Sequence, residues 1–126
     1  MDTKKKPNRY HALKIMDWCF ARYGLSKYNE GYPHLEFNKK VEEYGYYEDY
    51  ENAIYVSSVL NDSLEELAST IIEEWIHYTQ CPKTYQKLYS KHSYLDHPME
   101  IEASTIAERD CKTCVNELKK IHKSFL

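Results

Sequence analysis

Apolar residues recur along this chain with two different periods, and the switches between them divide it into helices and strands. From Asn8 to Tyr23, the residues Leu13, Met16, Phe20 and Tyr23 fall three and four positions apart, the repeat of a single helical face. Asn8 is placed to cap that helix and Gly24 to end it. Gly31-Tyr32-Pro33 breaks the repeat, and His34-Leu35-Glu36-Phe37 alternates as a short strand does. Ala53 to Val59 is richer in β-formers, with Ile54 and Val56 on one side and Tyr55 and Ser57 on the other. The turn-rich stretch from Tyr44 to Asn52 between these strands is a hairpin candidate.

The helical period returns after Asn61-Asp62-Ser63, where Ser63 and Glu66 are spaced as a capping box. Leu64, Leu67, Ala68, Ile71, Trp75 and Tyr78 then gather on one face, with Glu66, Glu73 and His77 roughly opposite, until Pro82 stops the helix. Lys83 to His92 reads equally as a short helix or an irregular segment. Asp96-His97-Pro98 opens the last helix, since proline suits the first helical position. Its apolar stripe runs through Ala103, Ala107, Cys111, Cys114, Leu118, Ile121 and Phe125. Glu100 falls on the stripe's side and Glu102 on the opposite face. The pattern predicts an α+β fold: an N-terminal helix, a small antiparallel sheet, a second helix and a long C-terminal helix.

Composition narrows what such a fold does. A chain of 126 residues builds one core, so a single domain over 1–126 is expected, preceded over 1–7 by a flexible basic tail carrying Lys4, Lys5 and Lys6. A net charge of -3 opposes general binding to a phosphate backbone, so nucleic acid is not an expected partner. Charged residues make up 29% of the chain, the mean hydropathy is -0.77, and no apolar run is long enough to span a bilayer, so no membrane association is expected. The basic start leads into no apolar segment of the signal-peptide kind, which points to the cytoplasm. Cys19, Cys81, Cys111 and Cys114 are then expected as free thiols, the pair on the last helix serving as small buried apolar side chains.

Two acidic clusters carry the candidate chemistry. In Glu73-Glu74-Trp75-Ile76-His77 the outer residues lie one helical turn apart on one face, with Glu74 beside them. Twenty-three residues beyond His77, the phrase His97-Pro98-Met99-Glu100-Ile101-Glu102-Ala103 places Glu100 on the inward side of the last helix. A pair of ligands at i and i+4 with a carboxylate next to the first is the layout of a metallopeptidase helix.

These residues resemble the zincin metallopeptidases, more narrowly the gluzincin-type branch whose third ligand is a glutamate. They also resemble small zincin-like proteins of bacteria and phages that share the His-Pro-x-Glu-x-Glu-Ala phrase. The likeness covers roughly residues 53 to 110 and implies a minimal zincin-like domain that hydrolyses peptide bonds with a metal-activated water. By that resemblance, Glu73, His77 and Glu100 are the metal ligands and Glu74 is the catalytic base. Glu102, and His97 through its nearness to Glu100, are substitute ligands. Glu73 stands where the family carries its first histidine. A ligand set of two carboxylates and one imidazole accommodates Zn²⁺ and also a harder ion such as Mn²⁺. The partner implied is a peptide or protein substrate. Two alternatives stay open: a catalytically inactive zincin-fold module that binds a peptide or partner protein, and a di-iron carboxylate helical protein built on Glu74-x-x-His77.

Overall fold

The computed structural model describes residues 6–126 and has a small α+β fold in which one helix, α2, is packed on nearly every side. Of the basic tail expected over 1–7, residues 1–5 lie outside the described residues, and Pro7 is buried. Helix α1 spans Arg9–Tyr23. Asn8 and His11 form a reciprocal capping box: the Asn8 side chain accepts from the His11 amide at 3.1 Å, and His11 Nδ1 accepts from the Asn8 amide at 3.0 Å. With Nδ1 accepting, His11 Nε2 carries the ring proton and donates to the Ser124 carbonyl at 2.7 Å, tying the two ends of the chain together.

The face that α1 buries differs from the expected one. Ala12, Ile15, Met16 and Cys19 form it, while Leu13 and Phe20 remain 40% and 44% exposed. Both rows satisfy the helical repeat. The buried one has small side chains at 12 and 19, which let the helix approach its neighbours closely.

Three strands follow: β1 (His34–Asn38), β2 (Gly45–Glu48) and β3 (Ala53–Ser57). They form a sheet in the order β1-β3-β2, so the last strand lies in the middle. The sheet is mixed, where an antiparallel one was expected. β3 runs parallel to β1, pairing Leu35 with Ile54 and Phe37 with Val56, and antiparallel to β2, pairing Tyr46 with Tyr55. The cause is the connection from β1 to β2. It carries the chain past the neighbouring position before reversing, leaving a slot that β3 enters from the tight turn ending at Asn52. Asn52 adopts φ 51, a left-handed conformation that asparagine tolerates.

Helix α2 (Leu64–Thr79) starts at Ser63, whose hydroxyl accepts from the Glu66 amide at 3.1 Å. The expected capping box is only half made, because Glu66 Oε1 is buried without a hydrogen-bond partner among the described residues. Ile72, Ile76 and Glu74 are buried along with the expected apolar face, since α1, α4 and the sheet enclose the helix from several directions. A short helix, α3 (Pro82–Tyr89), begins at the proline that ends α2. Helix α4 (Pro98–Ile121) packs along α2 through Ala103, Ala107, Cys111, Cys114 and Leu118. Its stripe ends before Ile121, which is 72% exposed, because His122 leaves the helix and a 3₁₀ turn over Lys123–Phe125 folds back to bury Phe125 against the His11 ring. All four cysteines are free.

Gly45 sets the distance between β2 and α2. A Cβ there would lie 2.6 Å from Thr70 Cγ2 and 2.9 Å from the Tyr55 carbonyl oxygen, with Glu74 Cγ at 3.5 Å. Gly45→Ala therefore has to push α2 off the edge strand, and overpacking of this kind costs about 1–3 kcal/mol. Urea denaturation is expected to show a loss in that range. An unchanged midpoint would mean that the contact is not a tight one.

Candidate metal centre

Helices α2 and α4 meet at a carboxylate–imidazole cluster. Glu73, Glu74 and His77 occupy the last two turns of α2, and Glu100 sits in the first turn of α4, where the unpaired amides of the helix end favour an acid. His77 Nε2 lies 3.0 Å from Glu100 Oε1, and both side chains are nearly covered, at 13% and 12% exposure. One ligand atom from each of Glu73, His77 and Glu100 lies within 4.8 Å of the others, so the group can hold a metal ion. The distances suit that use. Two adjacent ligands around an ion at about 2.1 Å stand about 3 Å apart, which is the separation of His77 Nε2 from Glu100 Oε1.

Neighbouring groups fix how the imidazole presents itself. Gln80, the residue that caps α2, donates from Nε2 to the Met99 carbonyl at 2.9 Å and to Glu102 Oε1 at 2.8 Å. Both partners only accept, so the Gln80 amide oxygen must be the atom that faces His77 Nδ1 at 2.7 Å. Nδ1 therefore carries a proton, and Nε2 is the atom left to meet Glu100 or a cation. An outer contact of this kind orients a histidine that ligates a metal.

On the far side, the Tyr85 hydroxyl donates to Glu100 Oε2, and Tyr94 lines the same cleft as that carboxylate. Tyr85 is held in turn by His97. The His97 ring stacks on it at 4.1 Å, accepts from the Met99 amide at Nδ1 and donates from Nε2 to the Tyr85 carbonyl at 3.0 Å.

His97 and Glu102, the two substitute ligands expected from the sequence, therefore stand outside the cluster. Both ring nitrogens of His97 are occupied in capping α4 and fixing α3, and Glu102 acts through Gln80. Gln80, Tyr85 and Tyr94 were not singled out in the sequence. Gln80 carries a readable signal, since it lies three positions after His77 and so shares its face. The tyrosines arrive from α3 and the loop before α4, and no local spacing announces them.

Burial and mutual charge set the protonation of the cluster. Burial pushes Glu74 up to about 8, with Glu73, Glu100 and Glu43 adding to the effect and His77 opposing it. Glu73 is raised for the same leading reason. Burial disfavours the charge on His77, but the hydrogen bond to Glu100 and the neighbouring carboxylates outweigh it and lift the imidazole to about 9. Burial likewise disfavours ionised Glu100, yet hydrogen bonds from His77 and Tyr85 hold it below the ordinary carboxylate range. Glu74 itself is 5% exposed and makes no hydrogen bond to any described residue, although its side chain faces an open cleft.

That cleft has a volume of about 410 Å³, with the cluster at its base, Tyr85 and Tyr94 on one wall and β2 with its flanking turns on the other. β2 is the edge of the sheet. The Ser57 amide donates to the Tyr44 carbonyl at 3.0 Å, and antiparallel strands alternate bonded and unbonded positions. Gly45 and Tyr47 consequently turn their amides and carbonyls toward the open edge. Comparison with known proteins returns no match, whether to family models, to curated proteins or to solved structures.

The raised groups predict how stability follows pH in protein stripped of metal by a chelator. Glu74 keeps its proton up to about 8, far above the ordinary value of 4.5, and His77 keeps its own up to about 9, above the ordinary 6.5. The folded chain thus binds protons that the unfolded chain has already released, and stability falls as pH rises through these values. Denaturant midpoints are expected to decrease between pH 6 and pH 9, and Glu74→Gln should flatten the part of the decrease below pH 8. A midpoint that rises over this interval would contradict the protonation described.

Proposed function

We propose that this chain is a metal-dependent peptidase of zincin-like architecture. The observation that carries the reading is the convergence of Glu73, His77 and Glu100 beside the buried carboxyl of Glu74, which has no hydrogen-bond partner among the described residues, at the base of a cleft walled by an edge strand. In this reading Glu73, His77 and Glu100 hold a divalent ion, which supplies Lewis-acid polarisation of a carbonyl and acidifies water.

The protein's own groups do the rest. Glu74 takes a proton from the attacking water and returns it to the leaving amine. Its carboxyl, pushed up to about 8 by burial, is matched to proton transfer near neutral pH. Gln80 holds His77 in the tautomer that leaves Nε2 available. Tyr85 occupies the second oxygen of Glu100. The unpaired main-chain groups of Gly45 and Tyr47 suit an extended peptide added alongside β2, a recurrent mode of peptide binding.

Two carboxylates around one imidazole place Mn²⁺ beside Zn²⁺ as a candidate ion. Four free cysteines accord with a reducing compartment, and we place the protein in the cytoplasm. None of its helices is long and apolar enough to cross a membrane among the described residues. The carboxylate at position 73 favours a second reading, an inactive module that binds a peptide in the same cleft. A di-iron site has less support, because it draws ligands from four helices and here a sheet covers one side of α2.

Metal analysis and peptide hydrolysis separate these readings. Glu73→Ala is expected to lose the ion, and Glu74→Gln to keep it while hydrolysis drops about 10²–10⁴-fold, the usual range for losing a general base. Glu73→His should raise zinc affinity by restoring two imidazoles one turn apart. A wild-type protein that binds metal and cuts no peptide would favour the inactive module. Full hydrolysis by Glu74→Gln would remove Glu74 from the reaction.

A further inference from the structure

The cleft carries a charge that a metal ion does not cancel. Glu73 and Glu100 together balance a divalent cation. Glu43, Glu48 and Asp49 line the opposite wall along β2 and its flanking turns, and among the described residues no lysine or arginine lines the cleft. None of these three carboxylates is ion-paired among the described residues. Among the described residues, the one hydrogen bond involving their side chains is local, from the Tyr50 amide to Glu48 Oε1 at 3.3 Å.

Aromatic faces stand among them. Tyr46 on the edge strand and Tyr94 on the other wall both line the cleft and are exposed. Carboxylates interleaved with tyrosine rings suit a guanidinium or an ammonium, through charge and through contact with the ring faces. The Glu74 carboxyl, 5% exposed with no hydrogen bond to any described residue, faces the floor of this cleft and is free to pair with a group that enters it.

We propose that the cleft receives cationic peptide segments, an arginine or lysine side chain lying against Glu43, Glu48 and Asp49 while the main chain runs along β2. The proposal rests on the peptidase reading for turnover, but its charge selectivity belongs to the cleft wall and holds whether or not a bond is cut. Small acidic substrates are repelled by the same wall.

Three dye-labelled alanine hexapeptides, identical except for a central arginine, glutamine or glutamate, provide the probes. Binding is measured by fluorescence anisotropy on the manganese-loaded Glu74→Gln protein, and cleavage by mass spectrometry on the manganese-loaded wild type. The arginine peptide is expected to bind at least about tenfold more tightly than the glutamate peptide at low salt, with the difference shrinking at high salt as screening shortens from about 10 Å at 0.1 M to about 3 Å at 1 M. Adding Glu43→Gln, Glu48→Gln and Asp49→Asn together should abolish the preference. Adding Glu65→Gln and Glu108→Gln, at exposed positions outside the cleft lining, should leave it in place. If the triple substitution folds poorly, Glu43→Lys at an exposed position gives the same readout.

Equal binding of the three peptides, a preference that survives the triple substitution, or binding of none of them overturns the proposal. Cleavage by the wild type without charge preference also overturns it and leaves the peptidase reading standing. Selective binding of the arginine peptide with no cleavage supports it and retires the peptidase reading instead.

Discussion

The contact between His77 and Glu100 is the constraint on which the arrangement depends. It joins the last turn of α2 to the first turn of α4, and it lies where two other carboxyl groups, Glu73 and Glu74, are already withdrawn from water. Gathering acids around a single imidazole in a covered site opposes folding, because each loses hydration that a solvated helix face would keep. Such a cluster persists when the surrounding fold over-determines it, and local cost of this kind is characteristic of functional sites. An ion held by the cluster would offset that cost by binding the folded chain and not the unfolded one.

The rest of the chain can be read as what holds α2 and α4 in register. Ala103, Ala107, Cys111 and Cys114 give α4 a narrow face that lets it lie along α2. Trp75 anchors α2 to the end of α1 by donating from its indole to the Gly24 carbonyl at 3.0 Å. Gly45 brings the edge strand β2 against Glu74, so the residue that burial has perturbed most among the cluster's acids also faces a strand with unpaired main-chain groups. The Gln80 amide then links both helices at once, touching His77 on one side and Met99 and Glu102 on the other.

Much of this was legible in the order of residues, and what was not has definite physical reasons. The caps at Asn8, Gly24, Ser63 and His97 are local, so they could be read directly. The convergence of Glu73, His77 and Glu100 followed from the pairing of Glu73 with His77 and from the inward side of Glu100. The mixed sheet was hidden, because strand order depends on how a connection crosses the sheet and not on alternation within a strand. The buried face of α1 was ambiguous, since two rows fit the same period and tertiary packing selects between them. Tyr85 reaches the site through the placing of α3 by His97, a contact between residues 85 and 97 that no helical period encodes, and Tyr94 comes from the irregular segment before α4.

The most direct test of a metal centre here is the location of the ion itself. Crystals of protein prepared without chelator or histidine tag and supplied with Mn²⁺ or Zn²⁺ can be measured at wavelengths on either side of the absorption edge. Anomalous density is predicted between Glu73, His77 and Glu100, about 2.0–2.3 Å from His77 Nε2 and from one oxygen of each carboxylate. No anomalous peak at that position, with His77 still bonded to Glu100 in the presence of saturating metal, would contradict the account and leave the cluster a buried ion pair between two helices.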